Sequence, residues 1–344
     1  MPQTIRFGII GCGAIGHWHA KALQGLADSA LAGAADGLPA RAVEFGRTYG
    51  VTAFETPEDL FASPDIDVVC ICTPSGLHAP LAVQALDAGK HVVVEKPMAL
   101  SLADADLVLE AGIRNGKRIA VISQLRFSPA VRLLKEAVDQ GRLGRLVMAD
   151  LVMEYHRTQE YYDQGGWRGT WAMDGGGALM NQGIHGIDLL QYVMGPVKSV
   201  SARIATLVRR IEVEDTAAVV IEFESGALAT VQATTSVYPG YPRRLGIHGD
   251  RGSIVLEEDS LVAWDLLDPG EGPLPVLGKT SSKASSDPGA VGTEGHIRQL
   301  GDFADAIRTG RRPLVDGAEG RKAIEIILAA YESSREGRPV LLGR

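Results

Sequence analysis

GIIGCGAIGHWHA, residues 8–20, sets Gly11, Gly13 and Gly16 in a G-x-G-x-x-G spacing directly behind an apolar run that begins at Ile5. Such a run reads as a buried strand and the segment after it as the start of a helix, the strand–turn–helix context that gives the spacing meaning. In that setting Gly11 permits the tight turn, Gly13 lets a pyrophosphate approach the backbone, and Gly16 lets the helix pack close to the strand. The anion rests on free N–H groups at the helix N-terminus, around Ala14 and Ile15. Asp36 closes the second apolar run, 20 residues after Gly16 (36 − 16). A carboxylate there accepts hydrogen bonds from an adenosine ribose and repels a 2′-phosphate, so NAD is expected in preference to NADP. Arg41, a few residues on, keeps NADP as the lesser expectation.

Outward from this turn, short continuous apolar runs at residues 5–10, 31–35, 68–72, 91–94 and 118–122 alternate with Ala-rich helical stretches at 81–88 and 103–111. Continuous rather than alternating apolar strands separated by helices indicate a parallel sheet covered on both faces. The fold class is therefore α/β, a Rossmann-type doubly wound domain over residues 1–123. Beyond it, strand-like segments at 145–155, 200–208, 216–224, 227–237, 244–248 and 253–257, several of them alternating, are joined by short turns such as ESGA and GDRG. They predict an α+β domain over residues 124–344 with a largely antiparallel, open-faced sheet run as a meander. Ser128 and Pro129 start one helix of this half, and helical patterns return at 297–308 and 318–331, with the C-terminal helices free to pack back on the first domain. Pro, Gly and Ser dominate residues 268–295, which read as a connection or lid.

A chain of 344 residues, 45% hydrophobic and 22% charged, has the size of two globular domains. A net charge of −8 and a pI near 5.5 with no basic patch exclude a nucleic-acid surface. No apolar run approaches the roughly 20 residues that span a bilayer, and residues 1–10 lack the pattern of a signal peptide, so a cytoplasmic protein with no membrane partner is expected. Three cysteines, two of them alternating in one apolar strand, make a disulfide framework implausible.

Ligands of doubly wound sheets sit outside the carboxyl ends of the strands. CICTPSGLHAP (70–80) ends its strand on Thr73, Pro74 and Ser75, with His78 just beyond, and HVVVEKPMAL (91–100) delivers Glu95, Lys96 and Pro97 to the same edge. An ammonium held there beside a nicotinamide is partly desolvated and donates a hydrogen bond to a reacting oxygen. In the second half Asn181, His185 and Asp188 stand at i, i+4 and i+7, which places them on one face of a helix that follows Asp174 and three glycines, 175–177. The competing reading is a core histidine satisfied by Asp188. The remaining histidines show no ligand spacing, so no metal is expected.

These residues together resemble the Gfo/Idh/MocA oxidoreductases, through GIIGCGAIG, TPSGLH, EKP, QLRF (124–127), GWR (166–168) and GGGALMNQGIHGIDLL. The resemblance implies a nicotinamide cofactor in the cleft between a Rossmann domain and an open-faced α+β domain, and a homodimer or homotetramer built through the open sheet. It implies that Lys96 is the catalytic lysine and His185 the catalytic histidine, and a cis Lys96–Pro97 bond. Many members carry Asp four residues before that histidine. Asn181 stands there in this sequence, and because an amide cannot titrate it is cast as an orienting group. Gln124, Trp167, Arg168, His78 and Glu95 are placed near the cofactor, and Arg126, Tyr155, Asn181 and Asp188 near a carbohydrate or polyol substrate, with Tyr192 a weaker candidate. The implied reaction is hydride transfer from a secondary carbinol to C4 of NAD, His185 taking the proton and Lys96 steadying the oxygen. A redox-neutral enzyme that retains its NAD, such as a glycosidase or lyase, and a non-enzymatic dinucleotide sensor are the two rival readings.

Overall fold

A computed structural model describes residues 4–268, 275–278 and 292–343. The expected lid at residues 268–295 therefore falls mostly outside the described residues. The chain divides into two compact units, residues 1–124 with 292–321 and residues 125–291 with 322–344. Residues 292–321 thus return to the first unit, which no continuous division of the chain expresses.

The first unit runs β1 (Ile5–Ile10), α1 (Ala14–Gln24), β2 (Ser29–Ala35), α2 (Pro39–Tyr49), β3 (Thr52–Ala53), α3 (Pro57–Ala62), β4 (Val68–Ile71), α4 (His78–Asp87), β5 (His91–Val94), α5 (Leu102–Arg114) and β6 (Ile119–Val121). Its six strands pair in parallel in the order β3-β2-β1-β4-β5-β6. The apolar runs do what continuous runs must: Val68 to Ile71 and Val92 to Val94 are wholly buried, because helices cover both faces. Phe7, Ile9, Val68, Cys70 and Val93 share a core with Ala20 and Leu23 of α1 and with Leu300 and Phe303. Strand order reverses at β1, which sends β2 to one side and β4 to the other, so the carboxyl ends of β1 and β4 form the crevice where such sheets bind ligands.

The second unit contains α6 (Pro129–Asp139), β7 (Leu146–Glu154), α7 (Gln159–Asp163), α8 (Ile184–Met194), β8 (Val197–Ala205), β9 (Thr216–Phe223), β10 (Leu228–Thr234), β11 (Arg244–Gly249), β12 (Gly252–Glu257) and β13 (Ser260–Leu266). After α9 (Glu294–Thr309) in the first unit, α10 (Gly317–Glu336) begins there and continues in the second, which β14 (Val340–Leu341) completes. The eight strands lie in the order β13-β12-β11-β7-β10-β9-β8-β14. This is not the simple meander expected: β7 inserts between β11 and β10 and pairs with β10 in parallel. Short turns reveal only neighbours in sequence, whereas β7 reaches its place from more than 70 residues away (228 − 154 = 74). On β9, Ala217, Val219, Ile221 and Phe223 are buried while Ala218 and Val220 are exposed, the period of a half-covered sheet. Gly186 brings α8 onto the covered side, since a Cβ there would stand 2.6 Å from the Met153 sulfur. Among the described residues no helix is long and apolar enough to cross a membrane.

Candidate active site

At the glycine turn the backbone is shaped by necessity. Gly11 has φ +98° and a Cβ there would lie 2.5 Å from the Cys72 carbonyl oxygen, while one at Gly16 would lie 2.2 Å from the Gly11 oxygen. Neither position tolerates a side chain. Gly13 differs, because it is exposed and a Cβ there meets nothing within 4 Å, so within the protein itself nothing requires a glycine. Its bareness makes sense for a ligand that must approach the backbone. Helix α1 has no side-chain cap and no acidic residue in its first turn, which leaves its N-terminal N–H groups and positive dipole end open to an anion. Asp36 follows β2 directly; one carboxylate oxygen accepts from the Cys12 N–H and the other from the Leu38 N–H, both at 2.8 Å. Burial, with help from Asp36, pushes the Cys12 thiol up to about 12, so it stays uncharged. Two further buried oxygens have no partner, Thr73 Oγ1 beyond β4 and Gln124 Oε1 after β6. An open glycine, an uncapped helix and unpartnered polar atoms fit a dinucleotide with its phosphates on Gly11 to Gly16 and its ribose at Asp36.

The end of β5 shows why a buried strand runs into Glu95, Lys96 and Pro97. Glu95 continues the strand pairing, its N–H donating to the Ile71 carbonyl at 3.0 Å. Its carboxylate is buried; one oxygen lies 2.8 Å from His19 Nε2 and the other accepts the Lys96 N–H at 3.2 Å. His296 Nε2 lies 3.9 Å from the first of those oxygens. Pro97 follows a cis bond, and its carbonyl is 2.7 Å from His78 Nδ1, whose Nε2 is 2.8 Å from the Thr73 carbonyl. His78 was expected beside the cofactor; its buried ring lies between the carbonyl of Pro97 after β5 and that of Thr73 after β4. Lys96 itself is half-buried. No metal was expected, and scattered sequence positions gave no reason to group His19, Glu95 and His296, yet the fold brings their donor atoms within 4.8 Å of one another. The short His19–Glu95 contact is a hydrogen bond.

In the second unit the expected single stripe of Asn181, His185 and Asp188 is broken by a π-helical turn, Ala178–Gly183, ahead of α8. Such widened turns recur at functional sites. Asn181 donates its amide to Asp174, a fully buried carboxylate that also accepts the Gly169 N–H, while its oxygen accepts from Gln182. His185 stands half-buried at the start of α8. Asp188, three residues further along α8, accepts the Arg126 guanidinium on both oxygens at 2.9 and 2.6 Å, with that guanidinium 4.4 Å over the Tyr192 ring. Arg126 is 0% exposed. The structure pairs Arg126 with Asp188 and sets the Tyr192 ring against the guanidinium. Sequence spacing could not show this, since the partners are 62 residues apart.

Tyr155 is buried and pushed up to about 12, chiefly by that burial. Arg168 stacks over Tyr161 at 4.5 Å and Trp167 at 5.3 Å, and its Nε is buried without a partner, so part of its donor set is unspent. Arg157 and Gln182 escaped sequence reading. Arg157 is buried and donates to Gln182 at 2.9 Å, and Gln182 reaches both Tyr161 and Asn181, so these two set the surroundings of the π turn. The triple glycine serves close approach: a Cβ at Gly177 would lie 2.0 Å from the Glu214 backbone carbonyl oxygen, and the Glu214 carboxylate accepts the Gly177 and Leu179 N–H groups.

Three imidazoles of the first unit sit below the usual range. Burial lowers His19 and His78, and burial with Lys117 and Arg118 lowers His91 to about 4. The unfolded rings bind protons below about pH 6.5 while the folded ones do not. Stability from neutral burial is therefore whole above that value and is lost as pH falls toward the folded values. The urea midpoint should drop between pH 7 and pH 5 with net proton uptake on unfolding; a midpoint flat across that window contradicts it.

The parallel sheet and its glycine turn define a dinucleotide-binding domain, joined to a second, α+β unit. Residues 5–123 match the description "Oxidoreductase family, NAD-binding Rossmann fold" and residues 131–255 match "GFO/IDH/MocA C-terminal domain". The chain belongs to the Gfo/Idh/MocA oxidoreductase family. It is similar to the WlbA dehydrogenase of Chromobacterium violaceum, solved with NADH and UDP-GlcNAcA, at 35% identity and a TM-score of 0.89, covering 99% of this chain and 96% of that one. Inositol 2-dehydrogenase of Rhizobium meliloti is 29% identical over 98% of this chain and 99% of its own length. A levoglucosan dehydrogenase solved with NADH and levoglucosan is 26% identical with a TM-score of 0.88, over 99% of this chain and 100% of that one.

Proposed function

We propose that this chain is an NAD-dependent dehydrogenase that oxidises a secondary hydroxyl of a sugar, cyclitol or sugar derivative, or reduces the matching ketone. The observation that carries it is Lys96, presented half-buried at the carboxyl end of β5, in a sheet whose glycine turn fits a dinucleotide. When bound, NAD supplies the hydride-accepting carbon, C4 of the nicotinamide. His185 takes the hydroxyl proton, and Lys96 donates a hydrogen bond to the oxygen as charge gathers on it. Asn181, its amide fixed by Asp174 and Gln182, orients rather than titrates. Thr73, Ser75, Gln124 and Trp167 are assigned to the cofactor, and Arg168, with its unspent Nε, and Tyr155 to the ligands. Asp36 favours NAD over NADP through the ribose hydroxyls.

The relatives support the substrate class, because inositol, levoglucosan and UDP-GlcNAcA all present hydroxyls on a ring. Exposed Val147, Met148, Val220 and Leu228 on the eight-stranded sheet support its open face as the contact of a homodimer or homotetramer. A cytoplasmic location belongs to the same reading. The test is a panel of myo-inositol, scyllo-inositol, levoglucosan and UDP-GlcNAcA, each with NAD and with NADP, read by absorbance of the reduced cofactor. Turnover of at least one member is expected, with kcat/KM favouring NAD by about tenfold or more. Silence across the panel, with NAD copurifying in the protein, contradicts a dehydrogenase.

A further inference from the structure

Gly177 stands at the N-cap of the π turn Ala178–Gly183 and has no side chain with which to cap it. The first N–H groups of a helix have no partner within it and are ordinarily served by Ser, Thr, Asp or Asn at this position. Here a residue 37 positions along the chain, just before β9, serves them from outside the helix. The Glu214 carboxylate accepts the Gly177 N–H at 3.0 Å and the Leu179 N–H at 2.7 Å, and the Glu214 backbone carbonyl accepts the Ala178 N–H between them at 2.9 Å. Tyr331, on α10, donates its hydroxyl to the same carboxylate at 3.0 Å.

The glycines ahead of the turn complete this arrangement. A Cβ at Gly177 would strike the Glu214 carbonyl oxygen, and one at Gly176, where φ is +152°, would lie 1.9 Å from the Tyr331 hydroxyl oxygen. Each glycine makes room for one of the two residues that reach the turn. The Gly177 carbonyl in turn accepts the Asn181 N–H at 3.1 Å and the Gln182 N–H at 3.2 Å. The i+4 bond of an α turn and the i+5 bond of a π turn therefore meet on one oxygen. The peptides on both sides of Gly177 are pinned by Glu214, so Glu214 governs the width of the turn on which Asn181 rides.

Capping alone does not account for this acid. Glu214 is 2% exposed, and burial raises its carboxyl above the usual range against the pull of the Leu179 and Gly177 N–H groups and the Tyr331 hydroxyl. A Ser or Asp at the N-cap would serve the helix start without burying an acid. The adjacent Asp215 supplies a contrast. Its fully buried carboxylate accepts the Leu207, Val208 and Arg209 N–H groups at 2.9, 2.8 and 2.8 Å, so it holds the loop after β8.

We propose that Glu214, seated by Tyr331, is a positioning residue of the reaction: it holds the first peptides of the π turn and so fixes the direction in which Asn181 is presented beside His185. The role rests on the reading of Asn181 as the orienting group of the dehydrogenase.

The experiment is a double-mutant cycle in the full chain, with Glu214→Gln and Asn181→Ala made singly and together. Readouts are kcat on the member of the myo-inositol, scyllo-inositol, levoglucosan and UDP-GlcNAcA panel that reduces NAD, and the NADH dissociation constant as the check of folding. Glu214→Gln, nearly isosteric, turns an amide N–H against one of the backbone N–H groups that the carboxylate accepts. It should lower kcat by about tenfold or more with NADH affinity within about threefold. In the Asn181→Ala protein the same substitution should lower kcat by no more than about twofold, because the group it misplaces is gone. Asp215→Asn alters an equally buried neighbour and should leave kcat within about twofold of the parent protein, whatever its effect on the urea midpoint. A Glu214→Gln kcat within about twofold of the parent overturns the proposal. So does an equal fall with and without the Asn181 side chain, or an equal fall for Asp215→Asn, which is what a merely structural role gives. Should Glu214→Gln fail to bind NADH, Tyr331→Phe takes its place in the cycle, with an expected fall of about threefold or more, the same dependence on Asn181 and the same overturning results. A parent protein silent on the whole panel overturns the dehydrogenase reading and the role with it, so the parent alone tells the two failures apart.

Discussion

Lys96→Ala should lower turnover by roughly a thousandfold while leaving the NADH dissociation constant within about threefold. The size follows from two roles in one side chain. A general acid contributes about 10² to 10⁴, and a single donor aimed at a developing oxyanion about 10² to 10³, and these overlap when one ammonium does both. The cofactor should hardly notice the loss, because its phosphates are assigned to the N–H groups of the glycine turn and its ribose to Asp36, which hold their shape through Gly11, Gly16, Cys12 and Leu38 rather than through Lys96. The check is kcat with the panel substrate that gives reduced cofactor, beside NADH titration by fluorescence. Undiminished kcat removes Lys96 from the chemistry, and a large loss of NADH affinity with kcat intact moves it to the cofactor.

Sequence made the first unit legible because each of its signals is local. A parallel sheet buried on both faces writes itself as continuous apolar runs, and the glycine turn is contiguous, so strand, turn, helix and Asp36 could be read in order. The second unit hid more. The parallel β7–β10 pairing and the π turn before α8 depend on contacts far along the chain, and the 3.6-residue period that put Asn181, His185 and Asp188 on one face does not survive a wider turn. Histidine reading failed for a related reason. His19 was read only with His17, either side of Trp18, and His296 looked scattered; what joins His19 and His296 is a carboxylate at the end of β5, and only the return of α9 to the first unit brings the second ring there. His78 lies within the TPSGLH stretch that carries the resemblance, yet its ring sits between two backbone carbonyls, so position in a motif did not reveal what the side chain touches.

Asp188→Ala should destabilise the protein by about 3–5 kcal/mol, because it leaves the Arg126 guanidinium buried without its carboxylate. Arg126 is 0% exposed and Asp188 4%, so neither can turn to water without opening the packing of α8. The pair makes two parallel hydrogen bonds, the geometry in which a guanidinium and a carboxylate bind most specifically, and the Tyr192 face covers the cation from the side. Charge removal from one partner and from both should therefore differ sharply. Arg126→Met with Asp188→Leu removes both desolvation penalties along with the attraction, and a well-packed replacement of this kind commonly comes out within a few kcal/mol of neutral or better. Urea unfolding of the single and double variants reads the contrast directly. The competing assignment, Asp188 as a substrate ligand, makes the opposite demand: Asp188→Ala would keep its urea midpoint and raise KM, and the double variant would bind substrate no better than the single. A single variant as unstable as expected, rescued in stability by the second substitution, fixes Arg126 and Asp188 as the buried strut beneath α8 and leaves His185, one turn earlier on the same helix, as the residue that the strut holds in place.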